Sequence, residues 1–210
     1  MSSAEAALER LERQAVVPVL RSRDAEDAVA TAQACRRGGM EVIELTYSIP
    51  EVERAVAELA ADEDVVVGVG TVVEPAQVRT SVELGAQFIV SFGFDPDVVA
   101  AAVELGVAVI PGALTPSEVL ACHRAGASAV KLFPARLIEP GYLRDLAAVM
   151  PGLKLMVTGG VPANVEGIRP WLEAGAIAIG VGSALGSVAA DGADEVERRA
   201  RELVGVRAST

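Results

Sequence analysis

The chain predicts a (β/α)8 (TIM) barrel, and three observations carry that reading. Eight short runs rich in Val, Ile and Ala alternate with amphipathic stretches, each pair taking roughly two dozen residues. Apolar residues make up 51% of the 210 positions and aromatics only 3%, so the core must be built from small aliphatic side chains. Such a core suits parallel strands buried on both faces. Proline stands near the start of many amphipathic stretches and glycine near their ends, the ordinary punctuation of helices.

The elements follow in order. Residues 1–14, rich in Ala, Glu and Leu, read as an extra helix leading into the barrel. Strands are expected at Val16–Arg21, Glu41–Thr46, Val65–Thr71, Gln87–Ser91, Val107–Pro111, Ala129–Phe133, Lys154–Thr158 and Ala176–Gly180. Helices are expected at Asp24–Arg37, Pro50–Ala61, Pro75–Leu84, Pro96–Leu105, Pro116–Arg124 and Pro162–Glu173, with a last one over Asp194–Val204. Gly38, Gly85, Gly106, Gly126 and Gly175 read as left-handed helix stops. No linker or low-complexity segment interrupts the pattern, so residues 1–210 are expected to form one domain. A doubly wound sheet is the main rival. It uses fewer strands, and no dinucleotide fingerprint follows the first strand here.

Composition excludes several function classes. A net charge of −11 with no basic stripe argues against nucleic acid as a partner. The cluster Arg36-Arg37 reads as the solvated end of a helix. No run approaches a membrane span, and residues 1–13 hold no apolar signal core. Cys35 and Cys122 fall in separate helical patterns without metal-ligand spacing, which predicts free thiols in a reducing compartment. The expectation is a soluble, cytoplasmic protein with no metal and no cofactor.

Lysine is scarce, and its placement is informative. Among 18 basic residues the lysines are Lys131 and Lys154. Lys131 lies inside the apolar run Ser128–Pro134, where burial would cost an ammonium several kcal/mol unless it is paired or loses its proton. A lysine driven toward neutrality is a nucleophile, most commonly used to form a Schiff base with a carbonyl. An edge-strand lysine that snorkels to water is the alternative from this segment alone. Lys154 falls at the start of its strand and reads as solvated. His123 and Trp171 read as surface or packing residues on helices.

In a barrel the chemistry sits at the carboxyl ends of the strands. Arg21, Glu44 with Thr46, Thr71, Pro111, Lys131, Thr158 and Ser183 all fall there. Alternation along a strand turns Lys131 inward with Phe133, Glu44 with Val42 and Thr46, Val69 with Thr71, and Met156 with Thr158. An acid in an apolar strand is seldom buried alone, so Lys131 is the candidate partner of Glu44. Thr158-Gly159-Gly160 and Gly182-Ser183 follow the last two strands, where barrels often bind phosphate through backbone N–H groups.

Glu44, Gly68-Val69-Gly70-Thr71, Pro111-Gly112, Lys131-Leu132-Phe133-Pro134 and Thr158-Gly159-Gly160 occur in an order and spacing that resembles one family. This is the family of 2-keto-3-deoxy-6-phosphogluconate (KDPG) and 4-hydroxy-2-oxoglutarate (KHG) aldolases, and the likeness runs from about Val16 to Val204. The resemblance implies a metal-free class I aldolase on a (β/α)8 barrel, a homotrimer, releasing pyruvate and an aldehyde from a 2-keto acid. It implies Lys131 as the Schiff-base lysine and Glu44 as the acid/base. Thr71 and Thr158 would hold the pyruvyl portion, Arg21 the carboxylate end, and Gly159, Gly160, Gly182 and Ser183 a phosphate. Phe133 would pack on the lysine, and Pro111 would line the site. The chain departs from the family at Ser48, where some members carry arginine, and at Phe92, which would narrow the mouth. A phosphosugar isomerase or synthase without an imine, and a non-catalytic ligand-binding or assembly scaffold, are the competing readings. The first would not need Lys131.

Overall fold

The computed structural model describes residues 2–206. Met1 and residues 207–210, the extremes of the expected leading helix and domain, lie outside the described residues. Among the described residues nine strands are present: β1 (Val16–Leu20), β2 (Val42–Thr46), β3 (Val66–Gly70), β4 (Phe88–Val90), β5 (Ala108–Ile110), β6 (Gly112–Ala113), β7 (Val130–Leu132), β8 (Leu155–Thr158) and β9 (Ala178–Val181). All pairings are parallel, in the order β5-β4-β3-β2-β1-β9-β8-β7-β6.

The expected fifth strand, Val107–Pro111, is split. Proline has no N–H to give to a ladder, so it divides the stave into β5 and β6. β5 pairs with β4, and β6 pairs with β7. The Pro111 carbonyl accepts from the Lys131 N–H at 2.8 Å, which ties the ring together at the break. Eight staves thus make the nearly closed barrel that the alternation predicts.

The helices are α1 (Ser3–Gln14), α2 (Ala25–Arg37), α3 (Val52–Ala60), α4 (Pro75–Glu83), α5 (Pro96–Glu104), α6 (Pro116–Arg124), α7 (Pro140–Val149), α8 (Val165–Glu173), α9 (Val188–Asp191) and α10 (Ala193–Leu203). A 3-10 turn spans Ala135–Leu137. Pro75, Pro96 and Pro116 stand in the first turns of their helices, as expected. Pro50 and Pro162 do not. α3 begins after Glu51, which takes the left-handed conformation at φ 54°, and α8 begins after its Asn164 cap. The helix stop after α2 is shifted too. Gly38 is right-handed and Gly39 carries the positive φ of 98°. A Cβ on Gly38 would come within 2.6 Å of the Ala200 Cβ, so that glycine serves the close approach of α2 and α10. Arg36 and Arg37 are partly exposed but paired, Arg36 to Asp62 and Asp64 and Arg37 to Glu197.

Two apolar layers lie between staves and helices, and a third fills the barrel. The inner layer contains Val17, Val42, Val66, Phe88, Ile110, Ala129 and Met156 together with Ala7, Leu8 and Leu11 of α1. The leading helix therefore closes the amino-terminal end. Gln14, its last residue, bonds to the backbone of Val16, Glu41 and Val42 where the first staves begin. Outward-facing Val130, Leu132, Ile43 and Leu45 pack on the helices, as alternation requires. Val69 also packs outward, against expectation. Its neighbours Gly68 and Gly70 occupy the inward positions of β3, and Thr71 leaves the alternation by adopting φ 62°.

Candidate active site

Lys131 and Glu44 meet inside the barrel. Glu44 stands on β2 and Lys131 on β7, and their side chains are 0% and 4% exposed. Lys131 Nζ lies 3.7 Å from Glu44 Oε1, an ion-pair distance rather than a hydrogen bond. Neither carboxylate oxygen of Glu44 has a hydrogen-bond partner among the described residues, so both can take a proton or a substrate hydroxyl. Burial holds the Lys131 ammonium below the ordinary lysine range. Glu44 opposes that effect, and the nearby Arg21 guanidinium reinforces it. The Phe133 ring centroid lies 5.7 Å from Nζ.

Glycines make the room. A Cβ on Gly70 would fall 2.0 Å from Glu44 Oε1, one on Gly68 2.1 Å from the Phe88 ring, and one on Gly180 2.3 Å from Thr158 Oγ1. Large or functional side chains thus lie over glycines on the adjacent stave. Gly70 is a site residue that sequence reasoning passed over. The motif was visible, but a missing side chain advertises nothing about what fills its space.

The other expected residues surround this pair at the carboxyl ends of the staves. Thr158 ends β8, buried, with its Oγ1 unpartnered among the described residues. Thr71 follows β3 in the left-handed region, which a β-branched residue enters at a cost of about 1–3 kcal/mol. Pro111 is buried and joins β6 to β7 through its carbonyl. Arg21 follows β1 on the exposed rim. A Cβ on Gly182 would lie 2.9 Å from its guanidinium, so Arg21 leans on the turn after β9. That turn, with Ser183, Ser187 and Arg21, lines a cavity of about 240 Å³. Gly159 and Gly160 turn the chain after β8 at φ 96° and 100°. Side chains there would meet the Phe133 ring at 2.9 Å and the Arg136 Cβ at 2.7 Å, so both positions need glycine twice over. Ser48 is exposed, 2.6 Å from the Thr46 hydroxyl, and Phe92 is 53% exposed. Away from the site, Lys154 is exposed and pairs with Glu12, His123 is exposed, Trp171 is buried, and both cysteines are free and buried.

A groove of about 490 Å³ between α2 and α3 is larger, but its Arg36 and Asp62 are paired to each other. Among the described residues, no three His, Cys, Asp or Glu side chains are grouped to hold a metal ion. No described helix is long and apolar enough to cross a membrane.

A parallel barrel whose mouth leads to a buried amine and a facing carboxylate with no hydrogen-bond partner among the described residues is the arrangement of an amine-nucleophile lyase. The chain belongs to the KDPG and KHG aldolase family, whose model matches residues 8–200. It is 37% identical over 158 residues to the 2-dehydro-3-deoxy-phosphogluconate aldolase of Treponema pallidum, covering 74% of this chain and 75% of that one. It is 31% identical over 173 residues to the 2-dehydro-3-deoxy-6-phosphogalactonate aldolase of Escherichia coli K12, covering 81% and 83%. A crystal structure of KDPG aldolase from Legionella pneumophila, with pyruvate captured as a covalent carbinolamine, superposes with a TM-score of 0.85 at 26% identity over 94% of this chain and 98% of that one.

Proposed function

We propose that this chain is a class I aldolase cleaving a 2-keto-3-deoxy-6-phospho sugar acid, such as KDPG, to pyruvate and glyceraldehyde 3-phosphate. Cleavage of 4-hydroxy-2-oxoglutarate to pyruvate and glyoxylate is a second activity of the same site. The observation that carries the proposal is the buried Lys131–Glu44 pair at the carboxyl end of the barrel, 3.7 Å apart.

The neutral Lys131 amine attacks the 2-keto carbon. The carbinolamine takes up one proton from water and loses water to give a protonated imine, the proton being returned when the imine is hydrolysed. Glu44 takes the proton of the 4-hydroxyl. The C3–C4 bond breaks, its electrons move into the imine to give an enamine, and the aldehyde leaves. Glu44 returns the proton to C3, and water hydrolyses the imine to free pyruvate and the amine. Desolvation favours the first step, because each unit of pKa depression yields about tenfold more free amine. Thr71 and Thr158 hold the pyruvyl group, with Pro111 and Phe133 as walls. Arg21 binds the carboxylate end, and Gly159, Gly160, Gly182 and Ser183 receive the phosphate. The unpartnered Thr158 hydroxyl supports its part, since a buried polar atom without a partner is waiting for one. The same reading carries a cytoplasmic homotrimer and one domain over residues 1–210. Exposed Phe92, Leu137 and Val149 supply apolar surface that association would cover, and light scattering tests it.

The deciding experiment is incubation with pyruvate and borohydride, then peptide mapping. A reduced adduct on Lys131 supports the proposal. Labelling of Lys154 alone, or no adduct, defeats it. Lys131→Arg abolishes cleavage because a guanidinium cannot form the imine. Glu44→Gln still forms the adduct but cleaves roughly 10²–10⁴-fold more slowly.

A further inference from the structure

We infer that Arg136 reads the phosphate of the substrate and sets the preference for a phosphorylated tail over an uncharged one. This rests on the aldolase reading above and extends it to a residue outside the expected set.

The segment from Phe133 to Arg136 lies along the Gly159-Gly160 turn. Phe133 sits against Gly159, at the lysine end. Arg136 sits against Gly160, with its Cβ 2.7 Å from the place a glycine Cβ would take. The Arg136 N–H donates to the Gly159 carbonyl at 2.9 Å, which fixes the two loops together. The order along the turn matches the order along the substrate, with the reacting carbon by Lys131 and Phe133 and the tail by Gly160 and Arg136. An anion bonded to the Gly160 amide lies within the span of the Arg136 side chain, whose planar fork suits phosphate.

Charge bookkeeping in the sequence makes this arginine unusual. The chain carries 29 acidic against 18 basic residues, and most of its arginines meet carboxylates. Arg136 is exposed and pairs with none among the described residues. Other unpaired arginines, such as Arg79 and Arg144, stand on helices α4 and α7. Arg136 and Arg21 instead follow a stave at the mouth.

A second feature says why a side-chain cation is needed. Barrels often bind phosphate at the N-terminus of a short helix after the last stave. That helix is α9, and its first amides are already taken. Val188 N–H donates to Thr31 Oγ1 at 3.0 Å, Ala189 N–H to the Asp27 carboxylate at 2.8 Å, and Ala190 N–H to Ser187 Oγ at 3.3 Å. With those amides used and the chain's own carboxylate seated there, the helix end itself offers an anion little, and Arg136 supplies a cation from the wall opposite Arg21 and the Gly182 turn.

The test uses the full-length protein, Arg136→Gln and Arg136→Lys. Each is titrated with glycerol 3-phosphate by calorimetry, assayed for KM with KDPG, and timed for borohydride trapping of pyruvate, which has no phosphate. The glutamine variant should bind glycerol 3-phosphate about tenfold more weakly, about 1.4 kcal/mol, and raise KM to match. The lysine variant should fall between it and the parent, with pyruvate trapped at the parent rate by both. Unchanged glycerol 3-phosphate affinity in Arg136→Gln overturns the inference. So does a parallel loss of pyruvate trapping, which would mean that the turn itself had been disturbed. If the parent traps no pyruvate, the aldolase reading falls, while the glycerol 3-phosphate comparison still decides the role of Arg136.

Discussion

Replacing both members of the buried pair, by Lys131→Met with Glu44→Leu, should give a protein that is more stable and inert. At 3.7 Å and an effective dielectric constant near 20, the attraction between the charges is about 4.5 kcal/mol. Against it stands the lost hydration of two ions, several kcal/mol each. The carboxylate recovers none of that through hydrogen bonds among the described residues. One attraction against two desolvation losses leaves the pair near break-even or below. Removing Lys131 alone strands a buried carboxylate and should cost about 3–5 kcal/mol, whereas the double replacement should raise stability by about 1–4 kcal/mol. Urea unfolding followed by the fluorescence of the lone tryptophan, Trp171, measures all four members of the cycle at one protein concentration. A double variant less stable than the parent would refute the reasoning. So would single effects that simply add, since the two groups would then not be coupled.

Three further outcomes are expected. Because Lys131 is held below the ordinary lysine value of about 10.4, the unfolded chain binds a proton that the folded chain has released throughout the window between the two values. Stability should therefore rise with pH across that window and be lost as pH falls through the lowered value. The urea midpoint of the parent should climb, relative to that of the Met/Leu double variant, as pH rises toward the ordinary lysine value, and a flat difference would contradict this. Gly70→Ala puts a methyl group 2.0 Å from Glu44 Oε1 and should displace the carboxylate, cutting KDPG cleavage about 100-fold while pyruvate is still trapped. Unchanged turnover would show that the carboxylate has room to spare. Thr71→Gly removes a left-handed β-branched residue and should stabilise by about 1 kcal/mol while kcat/KM falls with the lost hydroxyl; a loss of stability in the same unfolding assay would count against strain at this position.

The barrel was legible because its signals are local and repeated. Each stave is a continuous aliphatic run, and stops such as Gly85, Gly106, Gly126 and Gly175 do take positive φ. Lys131 and Glu44 were legible because charge inside such a run has few explanations. The split of the fifth stave was also available, since Pro111 cannot donate to a ladder. What α1 packs against was not. An amphipathic pattern shows that a helix buries a face without saying which surface receives it. The outward turn of Val69 was missed because alternation was carried through Thr71, where the backbone leaves the strand conformation. Arg136 lay past the end of the strand, where no periodicity ranks one residue above another, and only the packing on Gly160 singles it out.

With Leu8 and Leu11 of α1 packed into its far end, the barrel presents the site residues at the opposite mouth. Aldehyde, pyruvate and the water that hydrolyses the imine would use that mouth in turn. While the aldehyde stays in place it blocks that traffic, so the enamine beneath it is screened from bulk solvent by the product it has just released. Shortening the leading helix would give water a second entrance, and would test whether a residue range that touches no substrate decides how often the enamine is protonated early.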